Sequence, residues 1–520
     1  MRSMRARWAI VWVAAVVLAS CASDDNGGAE SSKSADGTSS VETGGSDPSD
    51  PAVSAPPSSS QNPSPTTPDS DLAPETDDTR PASATAGSDE GVDPYFPASG
   101  NGGYDVEHYQ LAIDADTDTD GSTKSIDAVA TLTITSTDDL ASFSLDLEAL
   151  EVRSVRLGGN EVEFRQRAGE IRITPEQTIT ANETFDVEVS YDGQPQPKPY
   201  GSLGNIGWSS NETSTWVVSE PNGAATWFPS NDQPGDKATF RFEITVPESL
   251  EAVANGRMVS DAATGDGRRT WVWDMDAPMA TYLATVVIDD LTFDTGEGPD
   301  GIRLRDAVPD TLSASYDDFT KLHTDMLEYF TELFGPYPFD EYGIVVVDAR
   351  LGLALETQTF SVFGSGAISE VILAHELVHQ WFGDSVTPVY WRDIWLNEGF
   401  ATYGQLMWTS EQSGSPGIDE SMRRLATGGS GDTSAVVDPG ADNLFGSSVY
   451  YRGALTLHAL RLDIGDDAFF QTVRTWAERY RHANATTDDF IALAEEVSGK
   501  QLDELFDAWL SAGPPPRLPN

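Results

Sequence analysis

Two kinds of hydrophobic periodicity divide this chain. Between about residues 104 and 300, short runs alternate apolar and polar positions, as at Ala130, Leu132 and Ile134, and pairs such as Asp-Gly and Asn-Gly separate the runs. A period of two is typical of strands with one buried face, and these pairs favour tight turns. We predict an all-β domain over residues 96–300.

From about residue 313 the apolar spacing becomes helical, with Leu322, Met326 and Phe330 on one face. The run 342–347 predicts a buried strand, and residues 353–357 predict an edge strand. Amphipathic spacing, with breaks at Gly and Pro, then predicts helices over residues 394–409, 466–480, 487–498 and 502–510 and around residues 450–453. The predicted fold class is therefore α+β, with a mostly α-helical domain over residues 301–520 after the β domain.

The first twenty residues have the pattern of a secretory signal. Basic residues precede an apolar run from Trp8 to about Ala19, which is short for a membrane span. Residues 18–21 resemble the lipobox of bacterial lipoproteins, in which the cysteine is diacylated. We predict a lipoprotein signal peptide over residues 1–20 and lipidation of Cys21, the single cysteine of the chain. The alternative is an ordinary signal with an incidental cysteine, which would leave the protein secreted.

Residues 21–95 are rich in Ser, Asp, Pro, Thr and Gly and nearly lack aromatics. Such a composition buries too little apolar area to offset chain entropy, so we predict a disordered tether. It would hold the folded part away from the membrane, although a tail without a role is an open alternative.

The formal net charge of the chain is −53. A strongly acidic surface repels phosphate backbones, which argues against nucleic acid as a partner. Through Cys21 the expected partner is a membrane, and we expect a monomer.

Candidate chemistry lies in residues 375–379, a His-Glu-x-x-His pattern on a predicted helix. His375 and His379 are four residues apart, so both imidazoles lie on one face and can bind one metal ion. Glu376 is beside them, where it can reach a water molecule at the metal without being a ligand. The alternative is two surface or core histidines without a metal.

A third ligand comes from Glu398, which lies early in the next predicted helix. A loop with Gly383 and Pro388 folds that helix back over the first one. Two imidazoles and one carboxylate leave a position open for water, as catalytic zinc requires, so we predict one Zn²⁺ per chain. Asp384, Asp393 and Thr402 are candidates for orienting the histidines.

Residues 375–383 and 391–401 carry a resemblance to a known family. From about residue 100 to its end, the chain resembles the gluzincin zinc aminopeptidases of the M1 family. The resemblance implies a saddle-like β domain followed by a thermolysin-like catalytic domain. It assigns the zinc ligands to His375, His379 and Glu398 and the general base to Glu376.

The same resemblance adds three further residues. The family's Tyr-x-Lys-Gly pattern falls on residues 450–453, which makes Tyr450 the phenol that stabilises the oxyanion; from the residues alone, a core tyrosine is the alternative. The family's Gly-Ala-Met-Glu-Asn segment corresponds to residues 353–357, so Glu356 would hold the substrate's α-amine. Glu220 lies where the family has a second amine-binding group, on an aromatic- and proline-rich loop; surface or structural glutamates are the alternatives for both.

Two departures from the family pattern bear on specificity. Leu353 stands in place of Gly and Thr357 in place of Asn, which could reshape the cleft. The chain ends about 120 residues after Glu398, so we expect a lipoprotein-type member that lacks the large C-terminal helical domain.

The predicted function is zinc-dependent release of N-terminal amino acids from peptides, on the outer face of a bacterial cytoplasmic membrane. A zinc endopeptidase, a non-catalytic zinc-stabilised peptide-binding lipoprotein and hydrolysis of a non-peptide substrate are the alternatives.

Overall fold

The computed structural model describes residues 85–312, 322–349, 351–413, 417–428 and 432–519, which belong to one compact unit. The predicted signal peptide, Cys21 and the predicted tether up to residue 84 lie outside the described residues. Among the residues described, no helix combines the length and apolar character needed to cross a bilayer.

The N-terminal part of the described chain is built from strands. They are β1 (Thr85–Ala86), β2 (Tyr104–Thr117), β3 (Thr123–Ser136), β4 (Leu140–Asp146), β5 (Glu151–Leu157), β6 (Asn160–Glu161), β7 (Glu163–Arg167), β8 (Glu170–Thr174), β9 (Thr184–Gly193), β10 (Lys198–Tyr200), β11 (Gly204–Ser210), β12 (Thr215–Val218), β13 (Lys237–Pro247), β14 (Glu251–Ala254), β15 (Arg257–Ala263), β16 (Arg268–Ala280) and β17 (Val286–Asp289).

These strands form three sheets, in the orders β1-β4-β8-β7, β10-β11-β12-β17-β14 and β15-β16-β13-β2-β3-β9-β5-β6. Burial alternates strictly along β13, where Phe240, Phe242 and Ile244 face the core and their neighbours are half-buried. This is the period of two seen in the sequence, and it confirms the predicted N-terminal all-β domain.

Folded structure extends into the predicted tether. Residues 85–95 were predicted to belong to the tether, but Thr85–Ala86 pairs in parallel with β4 and the Gly87 N–H donates to the Ser142 carbonyl. The buried Asp93 carboxylate accepts from the backbone N–H groups of Tyr95 and Trp391. Backbone pairing and one buried carboxylate hold this polar segment, and composition does not report such contacts.

The C-terminal part mixes strands and helices. The strands are β18 (Leu291–Glu297), β19 (Arg303–Pro309), β20 (Glu341–Tyr342), β21 (Ile344–Val347), β22 (Ala354–Leu355), β23 (Ser361–Gly364), β24 (Val386–Pro388) and β25 (Ala483–Ala485), and the helices are α1 (Leu322–Phe334), α2 (Glu370–His379), α3 (Trp395–Ser413), α4 (Ile418–Gly428), α5 (Gly453–Ile464), α6 (Asp466–Arg479), α7 (Thr487–Ser498) and α8 (Asp503–Leu510).

A sheet of order β18-β19-β21-β23-β22, with β20 on β19, leads into these helices. β22 pairs antiparallel with β23 and ends the order, which confirms the predicted edge strand. β18 lies before residue 300, yet it pairs along its whole length with β19. This sheet therefore starts about ten residues before the predicted boundary, because a hairpin across residues 298–302 joins the two strands.

Helix α2 starts where the Ser369 side chain accepts a hydrogen bond from the Ile372 N–H. It packs against α3. The Phe382 ring, three residues after α2, stacks on the Phe400 ring of α3, and the ring centroids are 4.2 Å apart. This is the predicted helix, loop, helix arrangement. It directs the C-terminal half of α2, which is buried, toward the first turns of α3.

Candidate active site

The predicted metal ligands converge. His375 and His379 lie one turn apart on α2 with ring centroids 4.7 Å apart, and Glu398 lies in the first turn of α3. The Nε2 atoms of the two histidines are 3.2 Å and 3.5 Å from the same Glu398 oxygen, Oε2. All three side chains are buried, so three ligand atoms meet at one point inside the protein.

The outer nitrogens of both rings are engaged. Nδ1 of His375 is 2.9 Å from Gln405 Oε1, and Nδ1 of His379 is 3.2 Å from the Phe382 carbonyl oxygen. Both oxygens only accept, so each Nδ1 carries a hydrogen, and each Nε2 would present its lone pair to a metal bound beside Glu398. Two neutral imidazole nitrogens and one carboxylate oxygen are a donor set that fits Zn²⁺.

The partners that orient the histidines differ from those proposed from the sequence. Asp393 accepts from the Thr487 hydroxyl at 2.6 Å, whereas Asp384 and Thr402 have side-chain oxygens without a hydrogen-bond partner. Gln405 was missed. The sequence signal for Gln405 was its position seven residues after Glu398, because two helical turns place both side chains on the same face.

Four carboxyl groups crowd this buried centre. Glu398 has its pKa lowered to about 2, because His379 and His375 outweigh the effect of burial. Burial raises the pKa of Glu376, Glu356 and Glu220, although His379 opposes the rise in each. Such a concentration of buried carboxyl groups favours a bound cation.

Glu376, Glu356 and His379 form a second close group, with candidate ligand atoms within 4.8 Å of one another. His379 is common to both groups, and its Nδ1 is occupied by the Phe382 carbonyl. We place the metal between His375, His379 and Glu398, because that set uses both imidazoles. Glu376 then lies beside the metal position without being a ligand.

Tyr450 reaches the centre from a π-helical turn over Ser448–Arg452 that leads into α5. Its hydroxyl donates to Glu398 Oε1 at 3.0 Å, and its ring lies nearly parallel to that of His375 at 6.0 Å. The structure therefore brings Tyr450 to the predicted site. Arg452, the family's Lys position, is buried and donates to the carbonyls of Gly513 and Ala508.

The glycines of the two motifs have a packing role. A Cβ added to Gly453 would lie 3.0 Å from the Gly399 Cα, and one added to Gly399 would lie 3.0 Å from the Gly453 carbonyl carbon. Helices α3 and α5 thus touch through their backbones. This close contact sets the Tyr450 turn against the turn that carries Glu398.

Glu220 of the β domain and Glu356 of the C-terminal part lie near each other. Glu356 follows edge strand β22, and Glu220 lies two residues after β12 of the β domain. Both side chains are at least 95% buried, and each has an Oε1 atom without a hydrogen-bond partner. Besides burial, the charges of Glu356 and Glu398 raise the pKa of Glu220, which reflects how close the three groups lie.

Two family models match the chain. The Peptidase M1 N-terminal domain matches residues 105–283, and the Peptidase family M1 domain matches residues 320–509. Among curated relatives, Aminopeptidase M1-A of Oryza sativa subsp. japonica is 27% identical over 354 residues, covering 62% of this chain and 40% of that protein. Aminopeptidase M1 of Arabidopsis thaliana is 28% identical over 318 residues, covering 56% and 36%. The chain thus spans well under half the length of these relatives.

One match to a solved structure extends over nearly the full length of the solved chain. The M1 zinc metallopeptidase from Deinococcus radiodurans is 30% identical, with a TM-score of 0.76, and the match covers 82% of this chain and 98% of that one. With the β domain, the helical domain and the buried histidine–glutamate cluster all in place, the chain belongs to peptidase family M1, a family of zinc metallopeptidases.

Proposed function

We propose that this chain is a zinc-dependent aminopeptidase that releases N-terminal residues from peptides. The observation that carries the proposal is the pair Glu220 and Glu356, which are buried beside the zinc ligands, each with one oxygen that has no hydrogen-bond partner. A peptide's terminal ammonium entering a site shielded from water requires a counter-charge. Two carboxylates at one end of the site supply it and set which peptide bond reaches the metal.

Each remaining side chain has a role that follows from its position. Zinc held by His375, His379 and Glu398 would supply a Lewis acid that activates water and polarises the scissile carbonyl. The Glu376 carboxylate takes a proton from the attacking water and gives it to the leaving nitrogen. The Tyr450 hydroxyl, which donates to Glu398 Oε1 at 3.0 Å in the structure, would donate to the oxyanion instead.

A relative supports peptides as the substrate class. A mutant of the Deinococcus radiodurans enzyme has been solved bound to a Tyr-Ser-Ala substrate, with 30% identity to this chain and a match that covers 99% of that one. Mutants of a two-domain M1 zinc metallopeptidase have also been solved with L-arginine and with L-tryptophan bound, each 29% identical to this chain. We carry over only the chemistry, a short peptide with a free amino end.

The proposed location is the outer face of a bacterial cytoplasmic membrane, with Cys21 as the lipid anchor. The support is the basic, apolar and Leu-Ala-Ser-Cys order of residues 1–21. Fractionation of cells that express the wild type and Cys21→Ser tests it. We expect the variant to leave the membrane fraction; an unchanged distribution would contradict the anchor.

The experiment for the activity compares matched peptides with free and acetylated amino ends, using zinc-loaded protein with and without a chelator. We expect cleavage of the free peptides alone, and its loss with the chelator. Glu356→Gln should raise KM for free peptides, because the counter-charge is halved. Glu376→Gln should keep its zinc and lose about 10²–10⁴-fold in kcat.

Two results would overturn the proposal in different ways. Equal cleavage of free and acetylated peptides by the wild type would make the protein an endopeptidase. Bound zinc without cleavage of any peptide would make it a binding protein.

A further inference from the structure

A cavity of about 480 Å³ lies where the β domain meets the segment before β22. Strands β11 and β12, the turn after β9 and residues 351–353 form its walls. Its apolar lining consists mainly of Trp208, Trp216, Pro195, Pro197, Leu351 and Leu353.

The lining is electrically neutral. The polar residues on the wall are amides and hydroxyls, such as Gln194, Asn205 and Ser209, and none of the described lining residues is Asp, Glu, Lys or Arg. In a chain with a net charge of −53, a neutral wall with two tryptophans and two prolines favours an apolar or aromatic group.

Both sides of the cavity lead to the amine-binding carboxylates. Val218 lines the cavity, and Glu220 follows two residues later; Leu353 lines it, and Glu356 follows three residues later. An extended chain rises about 3.3 Å per residue, so roughly 10 Å separates Leu353 from Glu356. About three residues of an extended peptide span that distance.

The edge strand gives the peptide a direction. β22 is the last strand in its sheet order and pairs on one side with β23, so its other edge can accept a peptide strand. Beyond Glu356 the way is closed, because Thr357, Gln358 and Thr359 are buried and the Thr359 N–H donates to Gln380. A peptide with its amino end at Glu356 therefore runs antiparallel to β22, toward Leu353 and Leu351.

We propose that this cavity is a subsite for an apolar side chain at the third or fourth residue of the substrate. The preferred substrates would then be peptides of at least four residues with an aromatic or aliphatic residue there. This inference rests on the proposed aminopeptidase function, whose amine pocket fixes the register of the peptide.

The test uses the zinc-loaded full chain and pentapeptides with free amino ends that carry Phe, Ala, Asp or Lys singly at position three or four. We expect kcat/KM to be about tenfold higher for Phe than for Asp at one of these positions, with the difference mainly in KM. An aminoacyl arylamide, which has no third residue, provides the reference rate.

Three variants link the preference to the cavity. Leu351 is half-buried on the cavity wall. Leu351→Asp should abolish the preference for Phe and favour Lys at the same position, whereas Leu351→Met should retain the wild-type preference. Val259→Asp adds the same charge to the exposed β15, outside the cavity lining, and should also retain it. The arylamide rate of Val259→Asp should equal that of wild type, and the preference of each Leu351 variant is expressed relative to that variant's own arylamide rate.

The outcomes separate the two proposals. Wild type that cleaves the arylamide but shows no preference at positions three and four, or a preference unaltered by Leu351→Asp, overturns the subsite alone. Wild type that cleaves neither the arylamide nor any peptide overturns the aminopeptidase function, and the subsite with it.

Discussion

Orientation of the two imidazoles depends on acceptors that are easily overlooked. His379 uses a main-chain carbonyl, which no substitution removes directly, but His375 uses the side chain of Gln405. The Nδ1–Oε1 contact of 2.9 Å keeps Nε2 of His375 directed at the metal position beside Glu398. Gln405 is itself largely buried, so water cannot easily replace it.

We predict that Gln405→Leu weakens zinc binding by about 10–100-fold, because His375 loses the acceptor that fixes its tautomer. Gln405→Glu is the matched control, since a carboxylate of the same length still accepts from Nδ1. Zinc affinity is measured by competition with a chromogenic chelator. Equal affinity of Gln405→Leu and wild type would contradict this role.

The site residues that could be predicted from the sequence are those whose positions depend on local helical spacing. His375, His379 and Glu398 were identified because helical spacing fixes where they point. Tyr450 came from a resemblance alone; in the structure its placement depends on Gly453 touching Gly399 across two helices. No pattern within either segment reveals that contact.

The turn after β22 is held from two sides. At the C-terminal end of α2, the Gln380 side chain donates to the Glu356 carbonyl at 3.1 Å and accepts from the Thr359 N–H at 2.8 Å. From the β domain, Asn255 donates to the Gln358 carbonyl at 2.9 Å, and the Gly256 N–H donates to the Thr359 hydroxyl at 2.8 Å. The segment that carries Glu356 is therefore fixed jointly by the metal-binding helix and the β domain.

We predict that Asn255→Ala lowers the free energy of unfolding by about 3 kcal/mol. The Asn255 amide is fully buried and also donates to the Leu283 carbonyl and accepts from the Thr285 N–H, so truncation leaves several buried groups unpaired. Asn160→Ala, on the exposed β6, is the control. Urea unfolding measures the difference, and a loss below about 1 kcal/mol would contradict the proposed link.

Secondary structure was predictable where periodicity was strong. The alternating strands of the β domain, α3, α6 and α7 match the sequence patterns closely. Helix α4 was missed although it is strongly amphipathic, because its apolar face is short and lies next to a Gly-rich segment. Residues 291–297 were included in the predicted β domain, but as β18 they pair with β19, since strand partners are set by long-range pairing and not by local pattern.

Two carboxyl groups of the β domain make the stability of the folded state depend on pH. Asp146 and Glu170 lie opposite each other across β4 and β8 and share a hydrogen bond. Burial raises the pKa of Asp146 to about 7, and burial together with the Asp146 charge raises that of Glu170 to about 9. In the unfolded chain both groups would ionise near pH 4, so the folded state holds extra protons between about pH 4 and 9.

Stability from these protons is fully present near pH 4 and is lost as the pH rises through the folded-state pKa values. We therefore predict that wild type loses urea resistance between pH 5 and 9, and that Glu170→Gln loses less, because one ionisation is removed. Glu163→Gln, an exposed position on β7, is the control. The same pH dependence in wild type and Glu170→Gln would contradict the coupling.

The contacts made by residues 85–95 have a practical consequence for protein production. Asp93 accepts from the Trp391 N–H, just ahead of α3, and the Tyr95 hydroxyl bonds Asp438 and accepts from the Gly440 N–H. A truncated recombinant fragment that begins at Tyr104, where the largest sheet starts, would lack these hydrogen bonds. The loop around Asp438 and Gly440, which precedes Tyr450, would then lose its contacts with Tyr95. Crystallisation fragments should therefore begin no later than residue 85.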